Sequence, residues 1–290
     1  MSMPLAPSHS SPLSFEPPTS VPKLLTALQS AGAYAELALV AGSWEPNDIE
    51  RRVYSRDWNK KGPDKLRGTF YGIRDGRNIH TSHVETIRSL FPDSHLDWWR
   101  RHPIAQILCD ASLGQDGVLD ALNTLPQGPE RECVWDEGFV SAITCTPFAC
   151  ELPDSVDVIQ RLAGMKSPFA LLAIVGRMRL AQLRWAHVRI DIESEKALLH
   201  MLPDCIASSP HLFLGQEALL EAVWRFLWWS PHAEARFILQ ISEKAPSRSD
   251  VEKRLSTAIC LISWPGLPLP PAEQMRSRSN TVAKILQHVG

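Results

Sequence analysis

Helix starts and helix stops follow one another without pause between Pro46 and Pro103, and that punctuation confines the chain to short, closely connected helices. Pro46-Asn47-Asp48 opens a helix carrying Arg51, Arg52 and Arg56 beside Ile49 and Val53. Gly62-Pro63-Asp64 opens the next, because proline is preset for the first helical turn and an early acid complements the helix dipole. Leu66, Phe70 and Ile73 follow at helical spacing, and the turn dipeptide Asp75-Gly76 predicts the stop. Ser82 and Glu85 have capping-box spacing, with Val84, Ile87, Leu90 and Phe91 as the apolar stripe and Pro92 as the end. Ser94 and Asp97 repeat the pattern ahead of Trp98-Trp99-Arg100-Arg101.

Elsewhere the same signals extend the helical reading. Leu24, Leu25, Leu28, Ala31, Ala35 and Leu39 predict one or two short helices over 21–40, with Gly32 weakening a continuous one. Pro126, Gly128 and Pro129 mark a boundary, and alternation over Glu132–Pro147 predicts a hairpin around Glu137-Gly138. Ser167-Pro168 opens an apolar helix to about Ala186. Val188, Ile190 and Ile192 read as a brief strand, Glu195–Leu202 as a helix and Gly215–Trp229 as a long amphipathic one. The segment WPGLPLPP, Trp264–Pro271, must be extended, since its four prolines forbid helix, and Ala272–Val289 closes the chain as a helix. The expected fold is mainly α and multi-helical with a minor β element. It divides into a Pro/Ser tail (1–22), a basic helical module (23–123) and a larger helical body (124–290).

A chain of 290 residues suffices for one large or two ordinary domains. Six cysteines without regular spacing exclude a disulfide scaffold and read as reduced thiols. The first 22 residues lack a basic start and an apolar run, and the longest apolar stretch, Phe169–Gly176, is far short of a bilayer span. The expectation is a cytoplasmic, bacterial protein with no membrane segment.

Charge is sorted into blocks. From Arg51 to Arg101 there are 12 Lys/Arg against 6 Asp/Glu, whereas 102–160 holds 10 acids and one arginine. From Arg161 to Ile190 there are 6 bases and no acid. A near-neutral total of −2 therefore hides a locally positive field, which is what polyanion binding needs. The blander reading is a solvated basic surface, or one quenched by the acidic block of the same chain.

Tyr71, Ile73, Asp75, Gly76, Ser82, Val84, Ile87 and Leu90, within residues 70–91, resemble the second half of a Cro/phage-repressor type helix-turn-helix domain. The upstream helix and tight turn of that family have no counterpart here; the basic segment Asn47–Lys61 stands in their place. The resemblance implies that Lys65 and Arg67 face a groove while Arg74, Arg77 and Asn78 meet phosphates, with Arg51, Arg52, Arg56, Lys60 and Lys61 adding positive potential. DNA is favoured over RNA as the partner. Arg177 and Arg184 share one side of their helix and form a secondary basic face, although arginines late in a helix also serve its dipole.

Catalytic signatures such as GxSxG, GxxxxGK[ST], GxGxxG and HExxH do not occur, and no cofactor is implied. His80 and His83 with Glu85 have the flavour of a metal site but want further ligands, and Cys145 and Cys150 read as structural. Pro153-Asp154 and Pro203-Asp204 would suit a divergent metal-dependent nuclease if strands carried them. Trp98-Trp99 and Trp228-Trp229 could stack on bases, with core as the default. The functional expectation is a non-enzymatic regulatory or adaptor protein that contacts nucleic acid. The alternative is a protein–protein interaction subunit of a bacterial assembly, pairing charge blocks with a copy of itself or another chain.

Overall fold

The computed structural model describes residues 21–61, 69–135, 154–184, 188–228 and 246–287, and every regular element among them is a helix. The mainly α expectation therefore holds.

Helix α1 (Pro22–Ala41) is the hub. Its run of small and apolar residues lets neighbours close in from several sides, and Leu24, Leu28, Tyr34 and Ala38 are sealed from solvent. Helices α2 (Pro46–Lys61), α3 (Thr69–Arg74), α5 (Leu96–Arg101) and α6 (Pro103–Cys109) contact it, while α4 (Thr81–Leu90) packs on α2 and α5. A second group forms around α10 (Pro168–Arg184), which packs against α7 (Gln115–Asn123), α8 (Pro129–Val134), α9 (Asp154–Met165) and α11 (Val188–Ser208). Helix α12 (Pro210–Leu214) touches both α1 and α11 and joins the groups; α13 (Gln216–Trp228) and α15 (Ala272–Gln287) return to α1, and α14 (Arg248–Ile259) lies on α11. One continuous apolar core runs from Val21 to Ile285, across the boundary expected near Asn123.

Several local expectations change. Gly32 does not interrupt α1. It faces Trp99 and His102, where a Cβ would stand 3.0 Å from Trp99 Cε3 and 3.3 Å from the Trp99 carbonyl oxygen, so its lost helix propensity is exchanged for close approach of α5. Val188–Ile192 is not a strand but the first turn of α11, which continues through Pro203 to Ser208. Of the expected hairpin, 132–134 belong to α8 and residues from 136 onward lie outside the described residues. The tail ends earlier than position 22: Val21 is 2% exposed and its amide donates to the Cys109 carbonyl at 2.9 Å. Trp264–Pro271 is non-helical but not extended throughout, because a tight turn with Gly266 at φ +74° brings Trp264 opposite Leu267. Helix α1 has the length and hydropathy of a membrane span, yet 61% of its apolar window is covered by protein, as in a core helix.

Candidate nucleic-acid interface

Three guanidinium groups converge on one carboxylate where α4 meets α5. Asp97, in the first turn of α5, pairs with Arg101 at 2.9 Å, Arg88 at 3.3 Å and Arg100 at 3.4 Å. Spacing explains two of these, since positions three and four apart share a helix face, and the α4–α5 packing delivers Arg88. The Arg88 and Arg101 side chains are 62% and 60% exposed, so the cluster presents two positive charges in excess to solvent.

Contacts extend the cluster in two directions. Toward the end of α4, Arg52 lies over the Phe91 ring at 5.9 Å. Toward the α3–α4 turn, Gln29 donates to the Arg101 carbonyl at 3.1 Å and accepts from Asn78 at 3.5 Å. Arg77 and Asn78 are exposed on that turn. Arg74 lies over Tyr71 at 5.0 Å and pairs with its neighbour Asp75 at 2.9 Å, which raises its pKa. Arg51 makes a loose pair with Asp48 at 3.7 Å. Every ion pair of these arginines among the described residues is thus to Asp48, Asp75 or Asp97, and none reaches the acidic block after residue 101.

Other expected residues fall elsewhere. Lys65 and Arg67 lie outside the described residues, as do the side chains of Arg56, Lys60 and Lys61 on α2 and of Arg184 on α10. Arg177 is 3% exposed, so it presents no basic face to a partner. Its neighbour Arg179 is also buried and donates to the carbonyls of Ala111 and Leu113 at 2.6 and 3.3 Å, tying down the α6–α7 loop. Arg88, Arg100 and Arg101 were missed as site residues because Asp97 read as a cap; the i+3 and i+4 arginines after it were the available signal.

The histidines of the metal-like pattern are spent locally. His80, not Ser82, caps α4: its Nδ1 accepts from the Ser82 amide at 3.3 Å and contacts the Ser82 hydroxyl at 2.8 Å. His83 is hydrogen bonded to the Tyr54 hydroxyl, and burial lowers its pKa. Among the described residues no group of three or more His, Cys, Asp or Glu side chains is placed to hold a metal ion. Cys145 and Cys150 lie outside the described residues. Pro203-Asp204 sits inside α11, with Asp204 paired to Lys166 at 2.7 Å, so no strand carries a nuclease motif there. Trp98 and Trp99 pack inward, Trp98 against Phe169 at 5.2 Å and Trp99 against His211.

Beneath the arginine cluster lies a buried polar tie. Glu36 Oε1 accepts from the Ser94 hydroxyl at 2.9 Å and the His95 amide at 2.7 Å, and Oε2 is 2.7 Å from His211 Nε2. Burial alone would raise the Glu36 pKa, but these donors outweigh it and hold the carboxyl below its ordinary range. His211, stacked on Trp99 at 4.0 Å, is pushed down by burial more than Glu36 raises it, so a neutral imidazole donates Nε2–H to the carboxylate. Ser209 Oγ stands 3.4 Å from His211 Nδ1 and is 4% exposed. The series has the order of an acyl-transfer relay, yet its enclosure makes it a brace that fixes the start of α5 against α1 and α12.

Comparison with protein-family models, curated proteins and solved structures returns no match for this chain.

Proposed function

We propose that this protein is a non-enzymatic regulatory or adaptor protein that contacts nucleic acid through the arginine face of α4, α5 and the α3–α4 turn. The observation that carries the reading is the sharing of Asp97 by Arg88, Arg100 and Arg101, with two of the three side chains largely exposed. A surface built only for stability would match its charges; this one leaves them in excess, where each can neutralise a phosphate and release a counterion. The helix-turn-helix resemblance is supported in part by the succession of α3, a polar turn with Arg77 and Asn78, and α4. In that reading the turn meets the backbone of duplex DNA, and the arginine cluster holds the adjoining phosphates.

A fluorescence-anisotropy titration of the full chain with a labelled DNA duplex, and with single-stranded DNA and RNA of equal length, tests it. Saturable binding that weakens steeply between low and physiological salt supports the proposal. Absence of binding at low salt, together with a dimer or larger species by solution mass measurement, would transfer the charge blocks to protein–protein contact instead.

A further inference from the structure

Asp97 gathers its cations at a point rather than along a line. Its Oδ2 meets Arg101 Nη2 at 2.9 Å and Arg88 Nη2 at 3.3 Å, while Arg100 Nη2 approaches Oδ1 at 3.4 Å. Because one oxygen holds both, the guanidinium groups of Arg88 and Arg101 lie side by side. Each touches Asp97 through a single Nη, and both side chains are largely exposed, so their remaining donors face outward. Arg100 is the inner member: its side chain is 28% exposed and its Nε is sealed from solvent. Arg100 and Asp97 offset one another, which leaves Arg88 and Arg101 as two adjacent positive charges.

The surroundings confine that charge. Glu85 stands three residues before Arg88 on α4, and Asp93 lies between α4 and α5; both are exposed, and neither pairs with these arginines. A phosphate backbone running on along α4 or over the α4–α5 turn meets those carboxylates, whereas a strand that ends on the arginine pair does not. The ligand's own charge points the same way. A backbone phosphodiester carries one negative charge, but a phosphomonoester carries about −1.5 to −2 at neutral pH and offers three strong acceptor oxygens. Two neighbouring guanidinium forks match that charge and those acceptors.

Resting on the nucleic-acid reading above, we propose that Arg88 and Arg101 bind the terminal phosphomonoester of a DNA strand, so that the protein recognises phosphorylated ends. Asp97 holds the two side chains together before the ligand arrives, and Arg100 offsets the repulsion between that carboxylate and the phosphate.

Fluorescence anisotropy with a short, internally labelled duplex of one sequence, bearing 5′-phosphates, 3′-phosphates or hydroxyl ends only, decides it when each is titrated with the full chain at low salt. At least one phosphorylated duplex should bind at least about fivefold more tightly than the hydroxyl-ended one, and the two phosphorylated arms distinguish which end is held. Arg88→Gln/Arg101→Gln should bring all three to the same affinity; if that variant does not fold, Arg88→Gln alone should reduce the preference. Equal binding of the three duplexes by the wild-type chain, or a preference that persists in the folded variant, would overturn the proposal while leaving nucleic-acid binding intact. Failure of all three to bind would remove the nucleic-acid reading itself, and end recognition with it.

Discussion

Acidification should destabilise this protein well before its carboxylates protonate, and His102 is the main cause. The residue is fully enclosed between α5 and α6, and burial lowers its pKa from 6.5 to about 3, with His211 adding to the effect. Its Nδ1 accepts from the Ala105 amide at 3.3 Å, an arrangement that protonation of that nitrogen destroys. In the unfolded chain the same imidazole takes up a proton near its ordinary pKa. The unfolded state therefore binds more protons below that value, so the stability this group contributes is complete above pH 6.5 and drains away as pH falls toward the folded value. With 1.36 kcal/mol per unit, the loss at pH 5 is about 2 kcal/mol from a folded pKa of about 3. His83 and His211, both lowered by burial, act in the same direction. Glu36 enters later: its lowered pKa contributes stability above the ordinary carboxylate range that is lost only on further acidification. Urea unfolding followed by tryptophan fluorescence, repeated from about pH 7.5 to about pH 5, measures the slope. His102→Asn isolates the cause, because asparagine keeps a side-chain acceptor for the Ala105 amide and tolerates the φ of 49° at this position, yet does not titrate. The variant should be less stable at neutral pH, having lost the ring packed on Gly32 and Trp99, but show a flatter pH dependence. A wild-type curve flat between neutrality and pH 5, or an identical slope in the variant, would refute the reasoning.

Three further outcomes follow from particular contacts. Gly32→Val places a branched side chain against Trp99 and its backbone, and should cost about 2–3 kcal/mol in chemical denaturation as α5 is pushed from α1. Arg179→Gln leaves the Ala111 and Leu113 carbonyls without their donor and should lower stability by about 1–3 kcal/mol, read as a shift of the urea midpoint. Asp97→Asn removes the shared carboxylate from beneath three arginines; duplex DNA affinity at low salt should rise several-fold, while stability changes by no more than about 1 kcal/mol because the pairs are partly exposed.

What the sequence revealed was set by range. Helix α4 was legible because Val84 and Ile87 sit at its buried positions and Pro92 follows its end. Its cap was not, since serine and histidine lie two residues apart and either can satisfy the first amides. The Ser-x-x-acid pattern that does close as a reciprocal capping box is Ser247–Asp250 on α14, where both hydrogen bonds form. Val188, Ile190 and Ile192 misled because a short alternation fits a strand as well as the first turns of a long helix, and only the continuation to Ser208 decides. The Glu36–His211 tie joins residues 175 positions apart, beyond any local pattern. Its trace was the single acid inside the apolar run AGAYAELALVAG, since a carboxylate in such a setting needs a partner supplied from elsewhere. Arg177 was misplaced because a helical wheel gives relative direction and not which side the protein covers.

The arginine face is tested most directly by the salt dependence of DNA binding in wild type and in the Arg88→Gln/Arg101→Gln double variant. Each arginine that neutralises a phosphate contributes about 0.9 to the slope of log Kobs against log salt concentration. The double variant should bind more weakly and lose about 2 from the magnitude of that slope. An unchanged slope and affinity would mean that these guanidinium groups do not meet phosphate, and a wild-type chain that ignores DNA at low salt would contradict the account outright.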